Sequence, residues 1–236
     1  MFLAGLTTSV FQANCYLVGP DQTDRCVIID PGLEAAGPVR TVLDQAGRTP
    51  AAVLATHGHL DHIADAATLA DGFGIPLWIH AADRPFLTDP AAAVNAELEA
   101  MFRHLGLGPF NEPLDVREYS FDGPTGSGRL EVAGLAFTLR QAPGHTPGCT
   151  MLVLDDAATD GETGTLVFTG DVVFAGAIGR TDFRVGDPTA MRASLRHQVL
   201  TLPAGARLLP GHGPDTTLGY ERATNPYLQA DFLADC

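Results

Sequence analysis

From Thr56 to His62 the chain reads Thr-His-Gly-His-Leu-Asp-His, which sets His57, His59, Asp61 and His62 side by side directly after the apolar run Ala51–Ala55. Imidazole nitrogens and carboxylate oxygens are donors that zinc takes up, and imidazole also suits iron and manganese. Packing gives no reason to crowd four such groups at one strand end, whereas a metal centre does. Gly58 suggests a sharp backbone turn that aims His57 and His59 at one point and Asp61 and His62 at another.

Three later places repeat the design. The strand-like run Leu135–Gln141 ends in Ala142-Pro143-Gly144-His145, Thr165–Thr169 ends in Gly170-Asp171, and Arg207–Leu209 ends in Pro210-Gly211-His212. Each run turns on a glycine and presents one metal-competent side chain, with the strand behind it as a rigid support. If these ends converge on His57–His62, seven donors meet, five His and two Asp. Seven suits two ions, because two four-coordinate sites need about eight positions and a shared carboxylate and hydroxide supply the difference.

The elements that must position these groups follow from periodicity and turn residues. Strands are predicted at Phe2–Leu6, Cys15–Val18, Arg25–Ile29, Ala51–Ala55 and Pro76–His80, and in the second half also at Leu130–Val132 and Thr150–Leu154. Helical spacing covers Ala36–Ala46, Ile63–Phe73, Pro90–Leu105, Pro188–Leu200 and a terminal piece from about Tyr220, with a Gly/Pro-rich patch at Asp122–Gly128. Strands and helices interleave in both halves, so the class is mixed α and β, and no linker divides residues 1–236 into two domains.

Composition narrows the function classes. Asp and Glu outnumber Arg by 28 to 14, the chain has no lysine, and the net charge of −14 opposes unspecific binding to nucleic acid or anionic membranes. Cys15, Cys26, Cys149 and Cys236 are scattered and read as reduced thiols. The first basic residue is Arg25, the opening stretch reads as strands and not as a signal peptide, and no apolar run is long enough to span a bilayer. A cytoplasmic location is expected. There is no G-x-S-x-G elbow, and Cys149 is expected to be buried filler.

Across nearly the whole chain, the motifs His57-x-His59-x-Asp61-His62, Gly144-His145, Gly170-Asp171 and Gly211-His212 resemble, in order and spacing, those of the metallo-β-lactamase-fold hydrolases. The resemblance implies an α+β fold, a four-layer αββα sandwich with metal at one edge between the sheets. It assigns His57, His59 and His145 to one divalent ion, Asp61, His62 and His212 to a second, and Asp171 to a bridge between them. Zinc is the expected metal, with iron or manganese as substitutes. Within that superfamily the chain looks most like the short bacterial members of the glyoxalase II group; Gly179-Arg180-Thr181-Asp182-Phe183, Glu221 and Asn225-Pro226 carry that likeness. This implies hydrolysis of a small-molecule thiolester by a metal-bridging hydroxide held by Asp171.

Asp171 argues against lactam hydrolysis, since that position is usually Cys or Ser in the lactam-hydrolysing members. Arg180 is the candidate for holding an anionic part of the substrate, or it pairs with Asp182. Asp30 is a candidate to orient a ligating histidine, or it braces the Asp-Pro-Gly turn. Glyoxalase II enzymes with an added helical domain bring basic groups for glutathione, but Arg222 is the one cation after His212 here, which leaves a different thiol carrier or a smaller thiolester open. Persulfide dioxygenases resemble the chain too, keeping all seven positions while using one Fe(II) on His57, His145 and Asp171. A non-enzymatic metal-binding protein is the third reading, and the oligomeric state stays open.

Overall fold

The computed structural model describes residues 1–122, 126–159 and 162–234; the patch expected at Asp122–Gly128 lies partly, and Cys236 wholly, outside the described residues. Strands β1 (Phe2–Thr8), β2 (Ala13–Gly19) and β3 (Arg25–Ile29) lead to helix α1 (Ala36–Ala46). Then β4 (Thr49–Leu54) runs into the short helices α2 (Leu60–Ile63) and α3 (Ala66–Phe73), followed by β5 (Leu77–Ile79), α4 (Ala96–His104) and β6 (Val116–Glu118). The second half holds β7 (Ser127–Val132), β8 (Leu135–Gln141), β9 (Thr150–Thr159), β10 (Glu162–Gly170) and a hairpin, β11 (Val173–Phe174) with β12 (Ala177–Ile178). After α5 (Pro188–Ser194) come β13 (Arg207–Pro210), β14 (Thr216–Thr217), α6 (Leu218–Thr224) and α7 (Ala230–Ala234).

Two six-stranded sheets result, ordered β1-β2-β3-β4-β5-β6 and β14-β13-β10-β9-β8-β7. Because strand side chains alternate between faces, Val27 and Ile29 of β3 face the second sheet while Cys26 and Ile28 face α1 and α3. Phe137, Leu152, Phe168 and Leu209 meet them from the second sheet. The outer face of that sheet, with Met151, Val153 and Val167, packs on Met191 and Leu195. Strands buried on both sides are apolar without a break, and the layers run helix, sheet, sheet, helix.

Strand direction decides where the chemistry falls. Strands β3, β4 and β5 are parallel neighbours, and β10 is parallel to β13. Strand β8 is antiparallel to β9, which is antiparallel to β10, so β8, β10 and β13 also share one direction. The sheets are laced together where their C-terminal ends meet: Asn14 N–H donates to the Gly211 carbonyl at 2.7 Å, and the Thr150 N–H to the Thr56 carbonyl at 2.8 Å.

Some expected boundaries shift for local reasons. The helix expected over Pro90–Leu105 divides into a 3-10 turn at Pro90–Ala93 and α4, because Val94 is extended and the Asn95 side chain caps the Leu98 N–H at 3.0 Å. The span Ile63–Phe73 divides between α2 and α3. Helix α5 continues as a π-helical turn over Leu195–Val199. Strand β6 escapes notice in the sequence because it is only three residues long and two of them, Arg117 and Glu118, are charged and exposed.

Candidate metal centre

Each predicted donor lies just past the C-terminal end of a strand: His57 and the α2 cluster after β4, His145 after β8, Asp171 after β10 and His212 after β13. The seven donors come together. His59 Nδ1 stands 2.7 Å from His145 Nε2, and His62 Nε2 stands 3.2 Å from His212 Nε2. One group comprises His57, His59 and His145; another comprises Asp61, His62 and His212. Asp171 lies between them, its Oδ2 at 3.4 Å from His145 and 3.6 Å from His212, and its Oδ1 at 3.5 Å from His62.

The outward nitrogens fix the inward ones. His145 Nδ1 faces the Arg180 carbonyl at 2.7 Å, His212 Nδ1 faces the Gln12 carbonyl at 3.2 Å, and His62 Nδ1 faces Asp30 Oδ2 at 3.3 Å. Thr56 donates its hydroxyl to Asp30 at 2.6 Å, so its oxygen is left to accept from His57 Nδ1 at 3.1 Å. With Nδ1 donating outward in all four rings, the neutral tautomers turn an Nε2 lone pair toward the cluster. The Asp30 carboxylate thus faces Thr56 and His62 and not its own Asp-Pro-Gly turn, in which its backbone is left-handed.

These groups suit divalent cations. His57 Nε2, His59 Nε2 and Asp171 Oδ1 are buried with no hydrogen-bond partner, and facing imidazole nitrogens need a shared cation or proton. Burial, reinforced by the neighbouring histidines, holds His57 well below its ordinary range; burial and His145 do the same to His59, and burial lowers His145. These three rings are neutral and ready to ligate. Burial pulls His62 down too, but Asp61, Asp171 and Asp30 outweigh it and carry its pKa up to about 10. A divalent ion would satisfy the same carboxylates. For Asp61, burial opposes ionisation, but His62 and His212 hold the carboxyl well below its usual range.

Two glycines act through space and not through backbone freedom. Gly58 has no left-handed φ; a Cβ there would meet Phe86 at 2.8 Å and the Asp83 carbonyl at 2.9 Å, which corrects the expectation of a turn that needs glycine's dihedrals. A Cβ on Gly211 would stand 2.2 Å from Asp171 Oδ1 and 2.8 Å from His62 Cε1.

Asp83 is a functional candidate that the sequence does not signal. Wholly buried, it accepts from Gly58 N–H at 2.8 Å, Gly148 N–H at 2.7 Å and the Thr146 hydroxyl at 2.6 Å. One carboxylate therefore joins the His57–His59 loop to the His145 loop. Arg180 sits at the rim, its side chain 53% exposed, gripped by Asp182 at 2.6 and 2.7 Å and laid over the Phe183 ring at 4.2 Å. His80 bonds Gln141 and the Ala82 N–H, while His104 and His197 are exposed, all apart from the cluster. Cys149 is buried, and desolvation and then Asp83 raise its thiol far above the reactive range.

Five of the donors, His59, Asp61, His145, Asp171 and His212, line a cleft of about 500 Å³ whose apolar walls include Phe11, Leu98, Met101, Phe174, Ile178 and Phe183. A larger hollow of about 760 Å³ near Arg140 and His197 touches none of the seven donors. No helix among the described residues is long and apolar enough to cross a membrane.

Comparisons with known proteins agree with this geometry. The chain is 32% identical over 225 residues to the hydroxyacylglutathione hydrolase GloC of Haemophilus influenzae, covering 95% of this chain and 97% of that one. Among solved structures, BLEG-1 B3 metallo-beta-lactamase superposes with a TM-score of 0.80 at 32% identity, covering 97% of this chain and 100% of that one. TTHA1623 in a di-iron-bound form superposes with a TM-score of 0.76 at 33% identity, covering 95% and 100%. A sequence model of the Metallo-beta-lactamase superfamily matches residues 8–212, and with the αββα sandwich and its His/Asp cluster the chain belongs to that superfamily.

Proposed function

We propose that the chain is a thiolester hydrolase working with two divalent ions, zinc by preference, His57, His59 and His145 holding one, Asp61, His62 and His212 the other, and Asp171 both. The observation that carries the reading is the place of Asp171, within 3.4–3.6 Å of histidines from both groups. The likeness to GloC supports the thiolester as substrate class. Bound ions would supply an ionised water as nucleophile and a Lewis acid for the carbonyl oxygen. The neutral rings of His57, His59 and His145 leave the charge of an ion undiminished for that purpose. Asp61 stays ionised at neutral pH and so offers only acceptor oxygens. Phe183, edge-on to His59 at 5.4 Å, gives this side of the cleft an apolar wall. Cys149 is too buried to attack, which fits direct hydrolysis without an acyl-enzyme.

The test is elemental analysis of anaerobically purified protein, followed by turnover assays with thiolesters, a chromogenic β-lactam and a glutathione persulfide. About two ions per chain and thiolester turnover are expected. One iron with oxygen consumption on the persulfide would replace the reading with a dioxygenase on His57, His145 and Asp171. Turnover of the β-lactam alone would place the chain with BLEG-1, whose description names that activity.

A further inference from the structure

We infer, on the basis of the thiolester reading of this site, that the cleft selects its substrate by an uncharged aliphatic or aromatic hydrocarbon arm lying in an apolar trough beside the metal-competent groups, and not by an anionic thiol carrier. Two walls make the trough. On one side, α4 presents Leu98 and Met101, with Phe11 alongside; on the other, the β11–β12 hairpin presents Phe174 and Ile178. All five side chains are half-buried or exposed, although their neighbours in the sheets are fully buried. Half-exposed apolar groups gathered on one cleft mark a binding surface more often than an accident of packing.

The aromatic rings stand directly against the donors. Phe174 meets His212 edge-on at 5.9 Å, and Phe183 meets His59 at 5.4 Å. A carbonyl reaching the donors therefore passes between two rings, and whatever is attached to it lies on Leu98 and Met101.

Both walls are braced. Glu221 and Asn225, fully buried, hold the hairpin: Glu221 accepts from the Gly176 N–H at 2.8 Å, and Asn225 donates to the carbonyls of Ala177 at 3.0 Å and Phe174 at 3.3 Å. Glu99 on α4 grips Arg184, two residues from Asp182 and beside Phe183, at 2.8 Å. Polar groups are spent on keeping the trough's shape, which is what selection by shape requires.

Charge at the same mouth argues against an anionic carrier. Arg180 is the one arginine among the residues lining the cleft, and Asp182 already holds its Nε and Nη2 with both carboxylate oxygens. Arg103 and Arg184, which do not line the cleft, both pair with Glu99 of α4, each at 2.8 Å. Among the described residues at this mouth, a carrier with two carboxylates, such as glutathione, meets arginines that each already face a carboxylate.

The experiment measures kcat/KM of the metal-loaded full chain on two series of thiolesters. One varies the acyl arm (acetyl, butanoyl, hexanoyl, phenylacetyl) on neutral N-acetylcysteamine; the other varies the thiol arm on a fixed acetyl group, with S-lactoylglutathione as the anionic reference. Each methylene buried is worth about fourfold, so lengthening the arm by about four methylenes is expected to gain roughly 30-fold or more after partial burial, in one of the two series. The series that responds identifies which arm the trough holds. Met101→Glu, at a side chain 36% exposed, is expected to cut that gain about tenfold with the circular dichroism spectrum kept.

Binding of non-hydrolysable S-methyl and S-hexyl thioethers of N-acetylcysteamine, read by calorimetry, separates the two claims. Thiolesters that turn over with flat or falling kcat/KM along both series, or with S-lactoylglutathione preferred, overturn the trough and leave the hydrolase standing. No turnover, but tighter binding of the hexyl thioether that Met101→Glu abolishes, overturns the hydrolase and leaves the trough. Neither turnover nor length-dependent binding overturns both.

Discussion

Asp83 is wholly buried, and every hydrogen bond it accepts comes from a neutral group, Gly58, Thr146 or Gly148. Desolvation therefore outweighs those bonds and raises its pKa from 3.8 to about 6. A carboxyl raised on folding binds its proton more tightly in the native state, so its contribution to stability falls as pH rises from about 4 to 6. The fall is about 3 kcal/mol. Asp83→Asn removes that slope: urea unfolding of the metal-free protein is expected to show wild type losing about 3 kcal/mol relative to the variant across this window. Parallel stability curves would show that Asp83 stays ionised throughout. Asp171→Ala is expected to lose both ions and nearly all activity, and two tightly retained ions would refute the bridge. Arg180 is proposed to touch substrate as the cover of Phe183, because Asp182 takes its charge. Arg180→Ala should then lower kcat/KM severalfold for neutral and anionic thiolesters alike; a loss confined to the anionic substrate would restore the anion-binding role expected from sequence.

Strand ends explain why so much of this centre is legible in the sequence. An apolar run followed by glycine and one donor carries its meaning within a few residues, and His57, His145, Asp171 and His212 all sit where such runs stop. Asp83 has no local signature, since its bonds reach Gly58 and Thr146 across separations of 25 and 63 residues. Helix α4 was half legible: its apolar spacing showed, but its start depends on the Asn95 cap, which only the extended Val94 before it reveals. Glycines were recognised for the wrong reason where close approach, not φ, demands them. Gly211 at the end of β13 shows the difference, because its missing Cβ is the space that Asp171 and His62 occupy. Gly211→Ala is expected to fold, since the severe contacts fall on the Asp171 and His62 side chains and the Gly170 backbone, at 3.1 Å, need give only slightly, yet to bind metal about 10–100-fold more weakly, the range for disturbing groups that orient ligands. Metal titration with a competing chelator measures it, and unchanged affinity would mean that Asp171 moves aside without consequence.

At the scale of the whole molecule, the centre is carried by the fold more than the fold by the centre. Three apolar clusters fill the spaces between and outside the sheets, and the seven donors lie beyond the strands that pack them. A core of this size does not need metal to form, unlike small domains whose folding is metal binding. Metal still adds stability by linkage, because it binds the assembled donors and not the unfolded chain. Free ion at a thousand times its Kd adds about 4 kcal/mol for a single site. For a chain of 236 residues each kcal/mol moves Tm by about 2–4 °C. Chelation is thus expected to lower Tm by roughly 8–16 °C for one such ion while the circular dichroism spectrum at 25 °C stays that of a mixed α and β protein. Collapse of that spectrum on chelation would show that the metal-competent edge, with its facing imidazoles and the carboxylates around His62, holds the sheets together and not the reverse.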